Sequence, residues 1–265
     1  MQTCLLPRRA AWLGATLGLL LALLLFAPAR WLALALSSAS ANQVQLVNAR
    51  GTVWSGQADL LLTGGAASRS QTALPQGLRW QLRPRWLART PALGLRLHAP
   101  CCTHTPMDLS LRPHWGGVEL RLGATSSRWP AELLSGLGTP WNTLRIEGWL
   151  TLQTDGLTLR WDQGRPQLQG ALALQAIDLS SRLSTLRPLG SYRLDLRAAA
   201  DGHTATLALH TLRGELDLQG SGQWVGGRLR FTGAAQAAPG RQAALENLLN
   251  IMGRREGARS VLTIG

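Results

Sequence analysis

Residues 144–174, LRIEGWLTLQTDGLTLRWDQGRPQLQGALAL, decide the fold. Leu144, Ile146, Leu150 and Leu152 alternate with other residues, TDG intervenes, and Leu157, Leu159 and Trp161 resume the alternation. After DQGRP the same rhythm returns at Leu168, Leu172 and Leu174. A period of two puts every second side chain on one face of a pleated strand, so these runs read as half-buried strands. The separators are rich in Gly, Pro and Asp, the residues that hairpin turns need, so TDG at 154–156 and DQGRP at 162–166 are expected to be turns.

The pattern extends in both directions. Leu109 and Leu111 lead into RPHWGG, and Val118, Leu120 and Leu122 come back out. Tyr192, Leu194 and Leu196 precede AAADG, after which Leu207 and Leu209 return. Leu216 and Leu218 continue to Trp224, a GG pair at 226–227, then Leu229 and Phe231. Strand–turn units recur roughly every 8–12 residues with no long helical pattern between them, which predicts an antiparallel all-β architecture. No fixed motif repeats, so a strict-period solenoid or propeller is not supported. One helix stands out near 240–252: Leu245, Leu248, Leu249 and Met252 fall at i, i+3, i+4 and i+7, with Pro239 before the start and Gly253 placed as a C-terminal cap. That apolar face is expected to pack on the sheet, and SVLTIG closes the chain as a last strand.

The N-terminus differs in kind. Residues 10–29, AAWLGATLGLLLALLLFAPA, are 20 uncharged and mostly apolar positions, the number a helix needs to cross a hydrocarbon core of ~30 Å. Arg8 and Arg9 precede the run, which places residues 1–9 in the cytoplasm, with Cys4 reduced there. Residues 10–36 are expected to form a single transmembrane anchor and 37–265 an exported domain. The rival is a cleaved signal peptide, since ASA at 39–41 resembles a cleavage site. The fold class is therefore mainly β: one N-terminal transmembrane helix, then a curved antiparallel sheet domain with one C-terminal amphipathic helix.

All 27 basic residues are arginine. The absence of lysine excludes a Walker-type phosphate loop, a protein-kinase site and Schiff-base chemistry within this chain. A net charge of +13 invites a nucleic-acid reading, but the arginines are dispersed and alternate with leucines, as a solvated sheet face requires. His98, Cys101, Cys102 and His104 cluster in LHAPCCTH, yet adjacent cysteines rarely reach one metal ion. An adjacent-residue disulfide or two free thiols are the alternatives in an exported loop. No serine sits in a G-x-S-x-G elbow, and no histidine has an acid and a nucleophile at a telling spacing. No catalytic residue, metal, cofactor, nucleic acid or small-molecule substrate is expected.

The chain resembles protein N of the bacterial type II secretion pathway. The resemblance lies in the apolar N-terminal run, ARGTVWSGQADL at 49–60, LPQGLRWQLRP at 74–84, and a dense block at 215–265; PCCTHTP at 100–106 is a departure from it. It implies a non-catalytic inner-membrane subunit with one span and a periplasmic β-rich domain. Its partners would be other secretion subunits and, through the N-terminal helix, the bilayer. Within that frame Gly51 and Gly56 let a strand reverse close to the membrane, and Trp54 either fills the end of the sheet or anchors a partner. Trp224, Leu245 and Leu249 complete the candidate interaction or structural positions, and one sheet edge is expected to pair with a partner. The alternative function is lipid handling, because a leucine-faced sheet can curl into an apolar groove.

Overall fold

The computed structural model describes residues 8–65, 70–87, 90–139, 141–225 and 228–265. Helices α1 (Arg8–Leu25) and α2 (Ala29–Ala39) come first. Strands β1 (Val44–Gly51), β2 (Ser55–Thr63), β3 (Gln71–Ala73), β4 (Leu78–Leu87), β5 (Thr90–His98), β6 (Met107–His114), β7 (Gly117–Leu122) and β8 (Thr125–Pro130) follow. A 3-10 turn (Ala131–Leu137) and the one-turn helix α3 (Trp141–Leu144) lead into the two long strands β9 (Ile146–Asp162) and β10 (Arg165–Ser181). Then come β11 (Gly190–Ala198), β12 (Thr204–Gly214), β13 (Leu216–Val225), β14 (Arg228–Ala237), α4 (Gln242–Met252), β15 (Arg254–Glu256) and β16 (Arg259–Ile264).

Among the described residues 16 strands join one open antiparallel sheet in the order β1-β2-β4-β5-β6-β7-β9-β10-β11-β12-β13-β14-β16-β15, with β3 on β2 and β8 on β9. The period-two alternation sorts the side chains. Leu95 lies opposite Leu82 and Leu109, and Leu174 opposite Leu152 and Leu194, so leucines form rows across the strands on one face. The other face carries arginines paired across or along strands, Arg96 with Asp108 and Arg112 with Glu119 at 2.8 Å, and Arg193 with Asp195 at 2.9 Å.

Close packing is confined to places where something covers the leucine face. At one end α2 lays Ala29, Leu32 and Leu36 over Leu46, Ala58 and Trp80. At the other, α4 buries Leu245, Leu248 and Leu249 against Leu216, Ala235 and Ala237. The 3-10 turn closes a third cluster around Leu74, Ala99 and Cys102.

Several expectations change. TDG at 154–156 is not a turn. Thr154 Oγ1 donates to Ala171 O and accepts from Gly156 N–H, Gly156 takes φ +146°, and β9 continues through a bulge as a 17-residue strand. The apolar run expected as one span over 10–36 divides at Ala27–Pro28, because proline has no N–H to continue a helix. Among the described residues no helix is long and apolar enough to cross a membrane; α1, at 18 residues, is about 27 Å long. Gly253 is extended, at φ −178°, rather than a left-handed cap; a Cβ there would meet Val261 O at 2.3 Å, so glycine serves the close approach of β16. Of the two alternatives left open for Cys101 and Cys102, the structure holds the disulfide. Residues 1–7, including Cys4, and the GG pair at 226–227 lie outside the described residues.

Candidate functional site

The hairpin between β1 and β2 brings Gly51, Trp54 and Gly56 together. Gly51, at φ +91°, opens the turn, and a Cβ on Gly56 would lie 2.5 Å from Trp80 Cζ2, so the two strands close only on glycine. The turn grips the joint between the N-terminal helices. Val53 N–H donates to Ala27 O at 2.8 Å, and Trp54 Nε1–H donates to Leu24 O at 2.8 Å. Leu24 O is one of the last carbonyls of α1, which have no partner within the helix. Trp54 is half-buried, its backbone O accepting from Leu82 N–H at 2.7 Å. Trp80 Nε1–H in turn donates to Val53 O at 3.0 Å.

Leu245 and Leu249 lie far along the sheet from this hairpin, fully buried on the inner face of α4. Trp224 stands apart from both groups at the end of β13, 44% exposed and opposite Ala205 and Leu229. In a sheet whose neighbours follow chain order, the β1–β2, β4–β5, β6–β7, β9–β10 and β13–β14 hairpins all turn at the same rim. That rim carries Trp54, Trp86, Trp115, Trp161 and Trp224, of which Trp115 is fully exposed.

A concavity lies apart from the expected positions. A trough of about 1110 Å³ runs between α3 and the 3-10 turn on one side and α4 and β16 on the other. Its floor is the leucine face of β9 to β13, with Leu150, Leu174, Leu194 and Leu209 at the centre. Trp141 and Leu144 form one lip, Ile251 and Met252 the other. Two of its polar groups are turned to partners of their own: Tyr192 O–H donates to Leu216 O at 3.1 Å and Ser181 Oγ to Leu144 O at 2.5 Å. Burial, with the Asp217 charge adding, pushes the Tyr192 phenol up, so it stays neutral. Alternation offered an apolar groove only as an alternative and did not locate it, since the same pattern underlies a covered core. The available signal was a shortage: the sequence offered one amphipathic helix for a sheet of this breadth.

On the arginine face His114 Nε2 bonds the carboxylate of Asp162, and Arg160 Nε lies 2.8 Å from the other oxygen. The bond from His114, and then the Arg160 charge, hold the Asp162 carboxyl below its usual range. Asp195 is likewise lowered, first by its bond from Arg193. Among the described residues no three His, Cys, Asp or Glu side chains group as metal ligands would.

These features define an open, amphipathic β-sheet protein: a charged face, a leucine face covered only in part, and a tryptophan-bearing rim next to an apolar N-terminal helix. The chain belongs to the family described as type II secretion system (T2SS), protein N, whose model matches residues 42–262 and so takes in nearly the whole sheet. Neither a curated protein nor a solved structure matches it.

Proposed function

We propose that the chain is a non-catalytic, inner-membrane-anchored subunit of the type II secretion apparatus, with its sheet on the periplasmic side, supporting export of folded proteins across the outer membrane. The observation that carries this reading is the family match over the sheet. Anchoring is supported by α1, which leaves Trp12, Leu13, Leu17 and Leu20 more than half exposed, a surface that suits lipid better than water. Arg8 and Arg9 at its N-terminal end favour a cytoplasmic N-terminus. The Cys101–Cys102 disulfide suits an oxidising compartment.

Family membership implies contact with other secretion subunits. Two surfaces suit such contacts. The tryptophans of the hairpin rim are the residue type that dominates interface hot spots. Strand β1, eight residues long, is an edge of the sheet and offers backbone groups for strand addition. Deleting the gene in the source bacterium and assaying a secreted hydrolase tests the proposal. Active enzyme held in the periplasm and released on complementation is the expected result; unaltered secretion would overturn it. Recovery of the chain in the alkali-washed membrane fraction, and its loss when residues 1–36 are removed, checks the anchor.

A further inference from the structure

We propose that the trough between α3 and α4 holds the acyl chains of a membrane phospholipid. This inference concerns the leucine face and does not rest on the secretion reading. The trough, at about 1110 Å³, matches or exceeds the ~300–1,000 Å³ of ordinary small-molecule sites. Those sites orient polar ligands with a few convergent polar groups. Here Tyr192 and Ser181 have their hydrogen bonds inside the protein, and Arg254, at the lip, is bonded to Glu256. Ser180, Thr263 and the rest of the Arg254 guanidinium are the other polar groups of the lining, and the remainder open to a ligand is hydrocarbon.

The backbone excludes an extended peptide. Strands β9 to β13 are each flanked by a neighbour on both sides, so their N–H and C=O groups are taken up in the ladder. A peptide strand laid over them would bury its own amides with no partner, whereas an acyl chain has none to satisfy. A helix satisfies its own amides, but the apolar surface has the wrong shape for one. It does not stop at the trough. Leu194 and Leu209 belong to a row that continues through Leu174 to Leu152. Beyond it Leu159, Leu120 and Leu111 align across β9, β7 and β6, and Leu109, Leu95 and Leu82 carry the face back to β4. These leucines are half-buried or more exposed, and Leu95 is the one that packs against the cluster under α2. The ribbon thus runs from the end of the sheet that holds the apolar N-terminal helix to the trough. A flexible hydrocarbon chain can follow such a ribbon; a rigid helix covers only part of it.

The test uses the full chain in its own membrane. Cells fed palmitic acid carrying a diazirine and an alkyne incorporate it into phospholipid. After irradiation the protein is purified, and its adducts are mapped by mass spectrometry. Intact phospholipid adducts within residues 146–218, beside those on α1, are the expected result. Ala176→Trp fills the floor of the trough. It should lower the trough adducts about tenfold, given roughly fourfold for each methylene denied burial, and leave the α1 adducts unchanged. Ala208→Trp, on the opposite face, should change neither. If Ala176→Trp alters the tryptic digestion pattern of the folded protein, Leu194→Gln serves in its place. Adducts confined to α1, adducts of free fatty acid alone, or trough adducts that survive both variants would overturn the proposal. So would a photoreactive residue placed at Leu209 that captures a protein segment instead of lipid.

Discussion

Strand β13 and strand β11 are written in the same alternating style, leucine against polar residues, yet they meet different fates. Leu216 of β13 lies under α4 and is fully buried; Leu194 of β11 faces the trough half-covered. The difference is in the second layer. Where an amphipathic helix is available, the leucine face becomes close-packed interior, and where none is, it stays a surface. Stability should therefore concentrate at the covered ends of the sheet, and binding at its uncovered middle.

That contrast can be broken in three ways. The largest effect is expected from Leu249→Ala, which opens a closed cavity under α4 and should cost about 2–5 kcal/mol, read from urea unfolding by tryptophan fluorescence. Leu194→Ala removes the same atoms from an open floor and should cost under about 1 kcal/mol. Equal losses would mean that the trough is as tightly packed as the core. A smaller effect, about 1–3 kcal/mol, is expected for Gly56→Ala, because the new methyl meets the Trp80 ring where α2 covers the sheet. The same measurement checks it, and a neutral outcome would show that this end repacks freely.

The third effect comes with acid. Asp162 and Asp195 are held below the usual 3.8 by His114, Arg160 and Arg193, all on the charged face of the middle strands. A lowered carboxyl stabilises the fold while ionised. The contribution is intact above about pH 4 and is lost as the pH falls through the folded-state values beneath 3.8. Hydrogen exchange, corrected for intrinsic rates, should show β9 to β12 losing protection before α4 and β16. Simultaneous loss would remove the distinction between middle and ends.

Much of this was legible beforehand. Period-two leucines gave the strands, and the i, i+3, i+4, i+7 spacing from Leu245 to Met252 gave α4 almost to the residue. TDG misled because turn residues also build bulges, and only the partner strand decides between them: Ala171 O supplies the acceptor that lets β9 continue. Composition read residues 10–36 as one span, while the position of Pro28 and the grip of Val53 and Trp54 on the end of α1 made two helices. The trough was the least legible feature. It depends on the absence of a covering element and on a register that stacks Leu152, Leu174, Leu194 and Leu209 into one row. Neither is a local property of sequence.

The strand order also bears on how the chain reaches its fold. No strand in the path pairs with one more than two places away in sequence. Loop-closure entropy is therefore met in small increments, and the topology belongs with proteins of low contact order, which fold quickly for their size. Each hairpin can form on its predecessor as the chain emerges, with only one growing edge at a time. Shortening the chain from its C-terminal end should then strip strands singly, moving that edge inward and leaving the pairings behind it in place.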